Sequence, residues 1–114
     1  MKLLTKPIEK QLRENFLENR KRQDADMLER NFYPVVKFFT PDAGATWLIT
    51  ELDSDGDTMF GLCDLGLGFP ELGYVSLSEL MTVRGKIGLP VERDRWFKAT
   101  KPLTEYIGDE RIVY

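Results

Sequence analysis

A chain of 114 residues, with 42% hydrophobic and 31% charged side chains, has the length and mix of one soluble globular domain rather than of a disordered segment. Its formal charge of −3 neither favours nor excludes a nucleic-acid partner, but the lack of any histidine excludes the commonest general base and most zinc sites. The single cysteine, Cys63, excludes an intramolecular disulfide and fits a reducing compartment, and no run approaches the roughly 18 apolar residues that span a bilayer.

Near the start, Thr5 to Lys10 ends the short apolar run of Met1 to Leu4, so no signal peptide is expected and the protein is placed in the cytoplasm, without a membrane partner. Charge is unevenly spread. Residues 1–31 carry eight basic and six acidic side chains, residues 32–74 one against seven, and residues 75–114 seven against six. The acidity of the middle segment sets up a local field that the net charge hides, or keeps hairpin turns solvated.

Leu4, Ile8, Leu12 and Phe16 recur every four positions, which predicts an amphipathic helix capped by Thr5, with Pro7 tolerated in its first turn. Glu9–Arg13 and Glu18–Arg22 are spaced as supporting ion pairs, and the helix is expected to fray across Asn19–Asp24. From Tyr33 the pattern turns to strands: 33–40 with Pro34 at its start, 45–52, and 58–63. Between the last two, Asp53 to Asp57 forms a hairpin tip, since the Asp55-Gly56 pair accepts positive φ. Residues 65–73, with three glycines and a proline, read as a loop, and 74–77 as a fourth strand. Ser76-Leu77-Ser78-Glu79 matches a capping box and predicts a short helix near 77–84, ended by Gly85. A fifth strand is expected over 91–97 and a helical turn over 102–107. The whole is an α+β domain over 1–114: helix and connector over 1–31, sheet over 32–97, tail over 98–114. Its N-terminal helix packs on a curled, mainly antiparallel sheet of about five strands, with the short helix after strand four.

Chemistry is sparse. Cys63 has no histidine to activate it and reads as a core residue, and Gly66 and Gly68 lack the strand-turn-helix setting of a phosphate loop. Asp53, Asp55 and Asp57 alternate like the first ligands of a calcium loop, but Gly56 misses the sixth position and strands flank the segment, so a polar hairpin tip is preferred. No cofactor is expected. An enzyme reading survives in one form, a carboxylate metal nuclease. It needs Glu51, Asp53, Glu92 and Asp94 to converge through pairing of strand five beside strand two, with Arg93 or Lys98 holding phosphate. Otherwise Glu92 to Arg95 is an alternating charged edge.

The preferred reading is a non-enzymatic interaction protein, monomeric or homodimeric, that binds a protein or nucleic-acid partner through Trp47, Tyr74, Arg84, Arg93 and Trp96, residue types common in binding hot spots. Six basic side chains between Arg84 and Lys101 surround Trp96 and Phe97, a composition that suits phosphate contact and base stacking. The bland alternative buries one of the two aromatics and solvates the lysines.

Several motifs are familiar: Met1 to Lys6, Val36-Lys37-Phe38-Phe39-Thr40-Pro41 with Thr46-Trp47, Gly61, Gly73 to Leu80, Arg84-Gly85 and Gly88 to Asp94. Together they resemble a family of small bacterial proteins catalogued as a domain of unknown function. The resemblance covers the chain to about Pro102 and brings no activity or catalytic residues with it. It implies a setting on plasmids and integrative elements, hence an accessory role in transfer or in countering host defence.

Overall fold

Helix α1 (Lys6–Asp24) starts where Thr5 accepts a hydrogen bond from the Ile8 amide, with Pro7 in its first turn, as the capping pattern predicts. The computed structural model describes residues 3–107; the end of the predicted tail, 108–114, lies outside the described residues. The pairs Arg13–Glu9 and Arg22–Glu18 form at 3.1 and 2.8 Å. The expected fraying does not occur. The helix continues to Asp24 because Asn19 is buried and bonded at three points, which anchors the last turns. Its inner face is also more polar than the apolar stripe implied: Leu12 is fully buried, but so are Asn15 and Asn19, while Leu17 is exposed.

Five strands follow: β1 (Val36–Phe39), β2 (Thr46–Leu52), β3 (Thr58–Asp64), β4 (Glu71–Ser76) and β5 (Glu92–Arg93). They form one antiparallel sheet in the order β4-β3-β2-β1-β5, with helix α2 (Leu77–Leu80) after β4 and a 3₁₀ turn (Leu103–Tyr106) near the end. This is the expected α+β architecture. β2 lies at the centre and is buried on both faces, which is why its sequence is a run rather than an alternation. Trp47, Ile49 and Leu52 join Phe38, Met59 and Leu12 in the larger core; Leu48 joins Leu62, Leu103 and Tyr106 in a smaller one on the other face.

A bulge interrupts the β2–β3 register. Ile49 pairs with Gly61 and Glu51 with Phe60, leaving Thr50 extra. Opposed residues share a face, so the bulge lifts Glu51 out of the Trp47–Ile49 row and puts it beside Phe60. The Asn15 amide donates to the Thr50 carbonyl at 2.9 Å and pins this irregularity to α1.

Three expectations need correction. β4 begins at Glu71 rather than Tyr74, because Gly73 does not stop it from pairing with Gly61. β5 is only two residues long, because Asp94 turns the chain by accepting from the Trp96 amide at 2.9 Å. Gly85 does not terminate a helix: α2 ends at Leu80, and a Cβ on Gly85 would overlap the Asp42 carboxylate. Asp42 uses that space to accept from the amides of Ile87 and Leu89.

The hairpin tip closes as predicted, with Gly56 at φ 74° and the Asp53 amide bonded to the Thr58 carbonyl at 2.8 Å. Ser76 caps α2 as expected, its hydroxyl accepting from the Glu79 amide at 3.2 Å, and Asp57 reinforces the cap by accepting from the Ser76 hydroxyl at 2.6 Å and the Ser78 amide at 2.8 Å. Those two bonds hold the Asp57 carboxyl below its ordinary value of 3.8. A depressed carboxylate stabilises the fold above its unfolded pKa, and that stability is lost as pH falls through the folded one. Thermal stability should therefore fall below about pH 4, and Asp57→Asn should lower Tm at pH 7 while flattening the acid limb.

Candidate partner-binding site

β4 is an edge strand, and its outer side pairs with no other described strand. Natural edges are usually blunted by lysine, proline or a bulge. β4 has Pro70 just before it and the charged Glu71 at its start, but no lysine, proline or bulge from Leu72 to Ser76, and its pairing with β3 is continuous. The segment before it is apolar and exposed: Leu67 is 74% and Phe69 77% accessible, and Leu65 is exposed with them. Gly66 and Gly68 adopt φ 78° and 85°, which let the loop turn, and the buried Asp64 carboxylate fixes its base through the Gly66 amide at 2.8 Å. Leu72 and Tyr74 continue the exposed apolar row onto the strand, Tyr74 at 76%. Five large apolar side chains within ten residues of sequence form the kind of patch that marks interaction sites.

Beside this edge lies a cavity of about 270 Å³ between α1 and strands β2, β3 and β4. Phe16, Asn19 and Arg20 line it from the helix, Glu51, Phe60 and Tyr74 from the sheet, and Glu29 and Asp53 add two further carboxyls. The Phe60 and Tyr74 rings meet at 5.3 Å in a tilted arrangement, and the Arg20 guanidinium stands 5.7 Å over Phe16. Asn19 organises the floor: its amide nitrogen donates to Glu51 Oε2 and to the Arg30 carbonyl, and its oxygen accepts from the Arg30 amide at 2.7 Å. Burial pushes the Glu51 carboxyl above its ordinary value; the Asn19 bond pulls it partly back, and Glu29 raises it again.

The expected binding residues do not share one surface. Trp47 is 5% accessible and belongs to the core, because its row of β2 faces Leu12 and Phe38. Tyr74 sits on the β4 edge, whereas Arg93 and Trp96 lie at or just beyond β5, with three strands between. Arg93 is half-buried and donates to the Leu3 carbonyl at 3.0 Å. Arg84 is exposed and donates to the carbonyls of Met81 and Val83. Trp96 is 91% accessible and so covers no edge, whereas Phe97 is partly buried against the smaller core.

The metal-nuclease set also comes apart. β5 pairs with β1, not with β2, so Glu92 lies opposite Phe39 while Glu51 lies opposite Phe60 at the far end of β2. Asp94 pairs instead with Lys37 at 3.8 Å. Glu51 and Asp53 do share the cavity with Tyr74, but among the described residues no three His, Cys, Asp or Glu side chains are grouped to hold a metal ion. Cys63 is partly buried against the larger core, and burial raises its thiol pKa, which matches an inert rather than a nucleophilic role. Sequence reasoning missed Asn19, Glu29 and Phe60, and it read 65–69 only as a loop. Two signals pointed to them: Asn15 and Asn19 continue the helix face of Leu12, and Leu65, Leu67 and Phe69 put large apolar groups where a loop needs none.

A family model described as a protein of unknown function (DUF2958) matches residues 3–112. No curated protein and no solved structure matches the chain.

Proposed function

We propose that the chain, which belongs to the DUF2958 family of proteins of unknown function, is a non-enzymatic interaction protein that docks an extended segment of a protein partner on the free edge of β4. The observation that carries this reading is the unpaired outer edge of β4 among the described strands, joined to the exposed row Leu65, Leu67, Phe69, Leu72 and Tyr74. An edge of six residues offers main-chain hydrogen bonds for affinity, and the flanking apolar side chains supply the desolvated contacts that dominate binding energy. The family resemblance supports an accessory role on a plasmid or integrative element, where such a binder would act on a cytoplasmic protein.

Selection of displayed random peptides on the immobilised protein tests this directly. Extended sequences with alternating apolar residues are expected, and Tyr74→Lys should weaken their binding at least tenfold, about 1.4 kcal/mol. Peptides that bind Tyr74→Lys as well as the parent would contradict the docking site. A mass that doubles with concentration in light scattering, and reverts in Tyr74→Lys, would assign the edge to a second copy of the chain instead.

Trp96 supports a second reading, contact with single-stranded nucleic acid. It is exposed, as are Arg95 and Lys98 close to it in sequence, so an aromatic ring and two cations share one exposed segment. Binding to single-stranded DNA should then fall steeply with salt and be lost in Trp96→Ala; no binding at low salt leaves the β4 edge as the proposed surface.

A further inference from the structure

We infer that the cavity beside β4 is a pocket for a basic side chain, best suited to a guanidinium, carried by the segment that docks on that edge. The carrier rests on the reading above; the pocket stands on its own geometry. Three carboxyls, Glu29, Glu51 and Asp53, share the cavity with one cation, Arg20. None of the three belongs to an ion pair among the described residues, and Arg20 is turned onto the Phe16 ring. The site therefore carries net negative charge with no ion pair to offset it: Glu29 is exposed and accepts from Gln23 at 2.9 Å, while Glu51 and Asp53 are half-buried, where solvent screens their field less.

The walls select the kind of cation. Phe60 and Tyr74 line the cavity with Glu51 as a tilted ring pair, and a planar guanidinium can stack on an aromatic ring while its fork of N–H groups reaches a carboxylate. Arg20 on Phe16 is an example of that stacking within the same cavity. A compact, strongly hydrated ammonium gains less from these walls. Position completes the argument, because Tyr74 belongs both to the cavity wall and to the free strand, so a segment paired on β4 runs alongside one wall of the cavity. The bulge after Ile49, which turns Glu51 toward Phe60, and the Asn19 amide that holds Glu51 Oε2 are the devices that aim the carboxylate.

The test is an NMR-detected titration with N-acetyl-arginine amide, with the neutral isostere N-acetyl-citrulline amide as control. Arginine is expected to shift the signals of the Asn19 side-chain amide, Phe60 and Tyr74, with citrulline at least tenfold weaker. Glu51→Gln should abolish the arginine response; it keeps an oxygen acceptor for Asn19, and its circular dichroism should match the parent. No shifts at these three residues, equal binding of citrulline, or full binding by Glu51→Gln would each overturn the pocket. These single-residue probes need no strand edge, so a failed peptide selection and a failed titration point to different parts of the account.

Discussion

Gly61→Ala is expected to destabilise the protein by about 3 kcal/mol, in the range of severe overpacking. Gly61 sits in β3 opposite Ile49, at the last regular pair before the bulge. A Cβ there would run into the Leu48 carbonyl oxygen and lie 2.9 Å from the Ile49 Cα, and both obstacles are backbone of the central strand. No rotamer change relieves such a contact; the strands must separate or the bulge must move. Gly73 supplies the control, since it pairs with Gly61 from the neighbouring strand yet has nothing within 4 Å of its would-be Cβ. Gly73→Ala should lie within about 0.5 kcal/mol of the parent, the usual range for open positions. Urea midpoints for the two variants measure the contrast, and equal midpoints would contradict the register.

Asn19→Ala is expected to cost about 3 kcal/mol as well, for a different reason. The side chain is 2% accessible, and its loss leaves the Arg30 amide, the Arg30 carbonyl and Glu51 without their partner. Arg30 is exposed and Glu51 half-buried, so each group stripped of its bond sits toward the lower end of the range for a buried one, about 1–3 kcal/mol, and the three together make up the loss. Asn19→Asp tests the assignment further. It keeps the acceptor for the Arg30 amide but brings a carboxylate against Glu51, so it should also destabilise, and adding Glu51→Gln should recover part of the loss. Glu51→Gln alone removes a desolvated charge while keeping an acceptor. A carboxyl whose folded pKa is raised favours the fold below its unfolded pKa and loses that contribution as pH rises through the folded value, so Glu51→Gln should gain stability at pH 7 relative to pH 4.

Legibility in the sequence followed the range of the interactions. The cap at Thr5, the Asp55-Gly56 tip and the cap at Ser76 rest on bonds between residues three to five apart, and each forms as read. The architecture was also accessible, because helical and strand periods differ and hairpin connections force antiparallel neighbours. What could not be read is which strand lies beside which. The nuclease reading depended on β5 pairing with β2, and nothing local distinguishes that arrangement from the observed pairing with β1. Trp47 failed as a surface residue for the same reason: only the knowledge that β2 is central turns an apolar run into a strand covered on both faces. The cavity was hidden because Glu51 and Asn19 are 32 residues apart and meet only through a one-residue bulge. The exposed row from Leu65 to Tyr74 was half visible, since its composition is odd for a loop, but its meaning required knowing that β4 is an edge.

The central claim is that the free edge of β4 is where a partner docks. Backbone hydrogen exchange, measured with and without a peptide taken from the selection, tests it most directly. The account predicts added protection confined to the amides of the 65–76 segment, strongest between Glu71 and Ser76, with the 93–98 segment around Trp96 unchanged. Protection gained at 93–98 while β4 exchanges as before would contradict it.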